Sequence, residues 1–505
     1  MWYVNVTIKY AGMKHVGILF GVLMLVLGVF FLTRCDTVRN DKIRKLDREP
    51  VMEPDYSGVT IPINIAPMNF LIDEDGNSYR LNVGSSNGTQ LTIKSSDGII
   101  RFPKRSWTKL ISDNPGGEIV IEVLSEGKDK ELTKYNPIHL YIANEPIDPY
   151  LCYRLLYPGY ESWSQIKIIQ RSIEDFYEAS LVENQLIENN CVNCHSFNQN
   201  NPEKFLLHIR GSMGGTYFVE GEKISRTDLR TKDMTAGAVY PAWHPGGRYV
   251  AFSSNKVIQS FHAEREKNIE VYDLSSSLVL YDTQDNEMLP VKEADTIKYM
   301  ETFPEWSPDG KYLYYCRTEQ FIDGSDFKNI KYDLVRKPFD QASRSFGETE
   351  LVFDALAINK SVSFPRISPD GRYLVFTLHN YGTFSIWHKE ADLSLLDLQT
   401  GKHHRMGLNS SESESYHSWS SNSKWLVFSS KRVDGLTARP YFAYIGSADN
   451  IGKPFVLPQK DPALYKKMLT TFNKPEFVTG KVNLGPRDFL RAAKRESTKA
   501  TGSGN

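Results

Sequence analysis

Cysteine is scarce in this chain, with five in 505 residues: Cys35, Cys152, Cys191, Cys194 and Cys316. An excess of one charge is also lacking, because 60 Lys and Arg stand against 61 Asp and Glu, a net charge of −1. That balance removes the electrostatic argument for nucleic acid or an acidic membrane surface as partner. A second Cys-x-x-Cys is missing, and so is a His-x-x-x-His, so the four ligands that a zinc ion usually wants are not supplied. No convincing acid–base pair, phosphate loop or metal-ligand cluster stands out. These absences leave little that marks an enzyme.

What cysteine there is converges on one stretch, Cys191-Val192-Asn193-Cys194-His195. Two thiols three positions apart, followed at once by an imidazole, make the c-type haem attachment pattern. Each thiol can form a thioether to one haem vinyl group, and His195 is then placed to ligate the iron as proximal ligand. A reversible disulfide between Cys191 and Cys194 is the main alternative reading. Cys152 and Cys316 remain, either as a pair or as buried small hydrophobes. Met213, on the Gly-rich loop Arg210-Gly211-Ser212-Met213-Gly214-Gly215, is the candidate distal ligand, with Met234, His208 and His244 as rivals. Because His195 stands a few residues before a strand, the haem is expected at the rim of the following domain.

Haem attachment of this kind needs an oxidising compartment. Val16 to Leu32 is an uncharged apolar run of 17 residues, short for a membrane span and long for a signal core. Residues 1–34 therefore read as a signal peptide or membrane anchor, and 35–50 as a linker. Leu32-Thr33-Arg34-Cys35 resembles a lipoprotein box, with Arg34 where a small residue is expected. Arg34, Arg39, Lys42, Arg44, Lys45 and Arg48 oppose export of the chain on their C-terminal side. Export to the periplasm or cell envelope is still the expectation, with the membrane reached through a transmembrane segment or a lipid.

Aromatic residues make up 12% of the chain, which together with short alternating runs predicts β-structure. Residues 51–160 read as a β-sandwich-like domain of short strands and turns. Gly84-Ser85-Ser86-Asn87-Gly88 matches a nucleophile-elbow pattern on paper, but its Asn-Gly places it at a hairpin tip. Residues 161–195 read as a connector: a strand at Gln165 to Ile168, then a helix from Ile173 that delivers the chain to Cys191.

Beyond that point the sequence repeats. Pro241-Ala242-Trp243-His244-Pro245-Gly246-Gly247-Arg248-Tyr249, Phe303-Pro304-Glu305-Trp306-Ser307-Pro308-Asp309-Gly310-Lys311-Tyr312 and Phe364-Pro365-Arg366-Ile367-Ser368-Pro369-Asp370-Gly371-Arg372-Tyr373 are clear copies. Ser418-Trp419-Ser420-Ser421-Asn422-Ser423-Lys424-Trp425 is a degenerate one. Steps of 63, 61 and 52 residues between Trp243, Trp306, Ile367 and Trp419 suit propeller blades with loop insertions. The Trp-Ser-Pro-Asp-Gly-Lys-Tyr-Leu repeat resembles the WD40-like PD40 repeat of TolB-like β-propellers. That resemblance covers roughly residues 200–460 and implies six blades, five of which are visible in the repeats, with the propeller bounded at 196–460. The whole chain also resembles envelope proteins that join a Cys-x-x-Cys-His motif to TolB-like repeats, a combination associated with Bacteroidetes-type bacteria. The tail, 461–505, reads as polar, with a short helix over Ala463 to Phe472 and a disordered end.

The expectation is thus an all-β chain: an N-terminal anchor, a β-sandwich-like domain and a TolB-like β-propeller. It would carry one covalent haem c on Cys191, Cys194 and His195 and pass electrons to a redox partner or envelope protein. The alternative is a non-catalytic binding scaffold with a Cys191–Cys194 disulfide.

Overall fold

Short alternating runs pair into antiparallel strands along nearly the whole chain. The computed structural model describes residues 43–158, 165–232, 234, 236–262, 267, 269–291, 298–320 and 324–502. The expected signal or anchor, and most of the linker with Cys35, lie outside the described residues. Among the described residues no helix is long and apolar enough to cross a membrane.

In the N-terminal unit, Glu118–Glu126 alternates half-buried and buried side chains, the period of a one-sided strand. It sits between Ser78–Ser85 and Ile138–Ile142 in a seven-stranded sheet. Ser78–Ser85 turns back to Gln90–Ser95 through Asn87 and Gly88, so the Gly-x-Ser-x-Gly pentapeptide is a hairpin tip. A three-stranded sheet and a helix, Lys104–Ser112, complete the unit. The helix turns Trp107, Leu110 and Ile111 into the apolar core.

Among the described residues, the rest of the chain forms six sheets of four or five strands each. Their first strands are β1 (Cys191–Phe197), β2 (Ala238–Trp243), β3 (Tyr299–Trp306), β4 (Ser361–Ile367), β5 (Glu414–Trp419) and β6 (Thr471–Val478). These six lie side by side in a closed ring, β6 returning to β1. Closure comes from the far end of the chain: β6 pairs antiparallel with Tyr150–Leu156, which continues into Lys167–Ser172 and Glu178–Glu183. The two ends of the ring are therefore stitched within one sheet.

The repeat's turn is legible atom by atom. The Asp309 carboxylate accepts from Ser307 Oγ (2.6 Å) and Lys311 N (3.1 Å), while Ser307 Oγ accepts from Tyr312 N (2.9 Å). Gly310 follows at φ +72°, a conformation that favours glycine. Ser368 and Asp370 repeat the pattern, and so do Ser420 and Asn422 in the degenerate copy. Tryptophans then tie sheet to sheet. Trp243 Nε1 donates to Ser196 O (3.1 Å), Trp306 to Ala242 O (3.2 Å) and Trp419 to Arg366 O (3.1 Å).

Several expectations are corrected. No helix forms from Ile173; the segment is a strand, Glu178–Glu183, and a single 3-10 turn, Asn184–Leu186. Tyr177 and Leu186 are exposed, and the adjacent Leu181 and Val182 are both buried by the sheet. Sheet pairing overrides the near-helical spacing. Residues 161–195 are thus no connector, and the ring is not confined to 196–460. The tail is not a loose end either. Its helix shrinks to Leu464–Lys467, and β6 follows. A second helix, Pro486–Ala493, then packs on Glu178–Glu183 and Lys223–Asp228. Thr498–Lys499 and Thr501–Gly502 add parallel edge strands to two sheets.

The N-terminal unit docks on the sheet that β5 begins. Asp148 accepts from Ser421 N (2.7 Å) and Oγ (2.5 Å), and Trp425 Nε1 donates to Pro146 O (3.1 Å). One apolar core runs through both.

Candidate functional site

Each strand of the ring carries a two-residue bulge against its neighbour, at the same place in all six. The dipeptides are Cys194-His195, Tyr240-Pro241, Phe303-Pro304, Phe364-Pro365, Tyr416-His417 and Lys474-Pro475. A bulge re-aims side chains that regular pleating would send elsewhere. Tyr240, Phe303, Phe364, Tyr416 and Lys474 have positive φ, between +46° and +52°, an uncommon state for such residues. Four of these positions supply aromatic rings that meet. Centroids lie 4.5 Å apart for Tyr240 and Phe303, 4.0 Å for Phe303 and Phe364, and 4.8 Å for Phe364 and Tyr416.

This aromatic cluster narrows the axial channel. On the side of the strand beginnings lies a cavity of about 410 Å³, and on the side of the strand ends one of about 370 Å³. Phe364, Arg366, Tyr416 and Lys474 border both.

The Cys-x-x-Cys-His stretch is β1 itself. Cys194 holds the ring position that aromatic residues hold in four other strands, and His195 holds the one that proline holds in four. The motif therefore stands on the channel axis and not at the rim, where the order of the chain suggested it. The reason is that Cys194-His195-Ser196-Phe197 is itself a copy of the aromatic-Pro-x-Trp element. Lys474-Pro475-Glu476-Phe477 is another. The second was readable in the sequence by aligning Pro475 and Phe477 with the other copies; the first has His195 in place of proline and leaves only Phe197 to align.

Cys191 and His195 line the larger cavity. Cys191 is half-buried, with Asn193 Nδ2 3.1 Å from its sulfur. His195 is 1% exposed, and neither ring nitrogen makes a hydrogen bond of good geometry among the described residues, while the backbone of Cys152 and Lys474 faces the ring. A buried polar group left unpaired costs on the order of 1–3 kcal/mol. Burial, then the charges of Lys474 and Arg154, hold its pKa well below the usual value, so the ring is neutral. Glu476 comes from β6. One of its oxygens accepts from Phe197 N (2.9 Å), and the other lies 3.7 Å from His195 Nε2. Burial pushes the Glu476 carboxyl up. Lys474 Nζ donates to the His195 carbonyl (2.6 Å).

A haem suits these residues on three counts. A neutral imidazole whose nitrogens are not taken up by the protein is the iron-ligating form. Cys191 shares its cavity wall. Arg154, Arg210 and Lys474 line the same cavity and would be counter-charges for propionates. The four distal candidates lie in different places. Met213 lines neither cavity; it packs on the core behind β1, its carbonyl accepting from Tyr217 Oη (2.7 Å). Met234 is buried in a separate core, and His244 serves its turn, accepting from Gly246 N (3.0 Å). His208 alone of the four lines the larger cavity. Burial lowers its pKa to about 4, so it too is neutral. Cys152 and Cys316 do not pair: both are free, buried thiols with raised pKa.

No family model matches the chain, and no curated protein does. Among solved structures, Kuenenia stuttgartiensis hydrazine synthase is 15% identical, over 51% of this chain and 64% of that one, with a TM-score of 0.32. The Dos1 propeller is 14% identical, over 54% and 63%, with a TM-score of 0.33. The Myceliophteria thermophila Cps50 (Swd1) β-propeller domain is 10% identical, over 63% and 88%, with a TM-score of 0.31. The chain spans less than two thirds of the length of the first two. The ring of sheets makes the chain a β-propeller. Two of these three distant likenesses are propellers, and none carries anything about activity.

Proposed function

We propose that this protein is a c-type cytochrome-like electron carrier, with the six sheets as blades of a TolB-like propeller and one covalent haem c on its channel side. The observation that supports this most directly is His195: a neutral, buried imidazole with no hydrogen bond of good geometry among the described residues, on the wall of a cavity that Cys191 also lines. When bound, haem supplies one-electron iron chemistry. Cys191 and Cys194 would tether it, and His195 would be the proximal ligand. Arg154 and Arg210 would offset propionate charge, and the aromatic rings of the channel would exclude water. His208 takes the place of Met213 as candidate second ligand, which lowers the potential relative to methionine. The reading brings with it export to the periplasm or cell envelope, with Val16 to Leu32 or Cys35 as the membrane anchor, and a redox partner protein.

The test is expression of the full chain in a host with a working cytochrome c maturation system, with haem staining of the denatured protein. A stained band that Cys191→Ala and Cys194→Ala each weaken, and that their combination abolishes, is expected. An unstained band from such a host refutes the electron carrier and leaves the binding scaffold with a Cys191–Cys194 disulfide.

A further inference from the structure

The lining of the larger cavity as a whole includes five cationic residues, Arg154, Arg210, Arg366, Lys431 and Lys474, and no carboxylate among the described residues. Arg366 is taken up by Glu305 (3.0 Å) and Arg154 by Asn193 Oδ1 (2.5 Å). Lys431 differs. It follows the strand Trp425–Ser430 and is only 4% exposed. Lysine is almost never so buried without a paired acid. Yet among the described residues its ammonium has no hydrogen bond or ion pair, and lies 3.5 Å from the centroid of the Trp387 ring. The nearby acids are engaged elsewhere: Glu412 with Lys389 (3.3 Å), and Asp434 with Leu436 N (2.9 Å) and Thr437 N (2.7 Å). Phe384, Ile386, Trp387 and Leu436 supply apolar surface beside it.

A cation held against aromatic surface, facing a cavity free of competing carboxylates, is complementary to an anion with an apolar body. We infer that the Lys431 end of the channel cavity binds a carboxylate carried on a planar apolar group. That carboxylate comes either from a diffusible acid or from the propionates of a haem on β1. The inference does not depend on the haem reading, because Lys431 and its surroundings owe nothing to Cys191 or His195. Burial, opposed by the fields of Asp434 and Glu412, lowers the Lys431 pKa to about 7, so the site loads best when the amine is protonated.

The experiment is calorimetric titration of the full chain with sodium benzoate, and with benzamide as the uncharged control. Benzoate is expected to bind at least about tenfold more tightly than benzamide. Lys431→Met should remove that preference, and Lys431→Arg should keep it. On the unsubstituted chain, benzoate affinity should fall about tenfold from pH 6 to pH 8 as the amine loses its proton, a readout that stands even if Lys431→Met fails to fold. Equal binding of the two probes, full benzoate affinity in a folded Lys431→Met protein, or no saturable binding overturns the proposal. Running the matured protein beside the variant that combines Cys191→Ala and Cys194→Ala distinguishes the sources. Binding in both means a diffusible acid, and binding only in the combined variant means that propionates fill the site. An unstained band in the haem test with benzoate still bound would remove the electron carrier and leave this site standing.

Discussion

At the scale of single residues, the interior of the ring holds more ionisable groups than its net charge suggests. Asp273 is one that titrates in a useful range. Its carboxylate accepts from Asn255 Nδ2 (3.0 Å) and Tyr332 Oη (3.0 Å), and burial pushes its pKa up to about 6. An acid whose folded pKa lies above its unfolded value is penalised once it ionises, so stability falls as pH rises from about 4 to about 6 and then levels. Asp273→Asn keeps the oxygen acceptor and removes the charge. Its stability gain over the parent should be near zero at pH 4 and on the order of 2 kcal/mol at pH 7.5, read by urea denaturation. A gain that is the same at both pH values would mean that the ionised form carries no penalty here.

At the scale of elements, the Ser-Pro-Asp-Gly turn is where sequence and structure agree most closely. Its residues act on one another within five positions, so local chemistry decides it. The copy with Asn422 shows that a neutral amide can do the work of Asp370. Asp370→Asn should therefore be nearly neutral, whereas Asp370→Ala, which loses both Ser368 Oγ and Arg372 N as partners, should cost about 1–2 kcal/mol. Thermal unfolding of the two variants decides it, and equal losses would assign the carboxylate's importance to its charge. The bulge dipeptides were less legible. Cys194-His195 draws the eye as a cofactor signature, and that meaning masks its place in the repeat. The false helix after Ile173 has the same cause in reverse: a spacing that looked local was the by-product of sheet pairing with strands on either side. Lys431 gave no sequence signal, since its burial is made by Trp387, 44 positions earlier in the chain.

At the scale of the whole molecule, the ring is held shut by one non-local pairing. β6 comes from residues 471–478 and its partner from 150–156, so no scan of adjacent repeats finds it. Truncation after residue 470 removes β6 and the helix Pro486–Ala493 together. It should give a chain that limited proteolysis degrades without a resistant core. Truncation after residue 496 removes only the two parallel edge strands and should leave a resistant core. Equal protease resistance in the two would show that the ring closes without its last strand.

That pairing also sets an order of events. Until residue 478 has been made and has found Tyr150–Leu156, the barrel-like interior has a missing stave, and β1 stands beside the gap that β6 will fill. Once the stave is in, His195 is walled off and Lys474 is fastened to its carbonyl. Any enzyme that must reach His195 would therefore have to catch the chain while it is still unzipped, and β6 is the latch that ends its access.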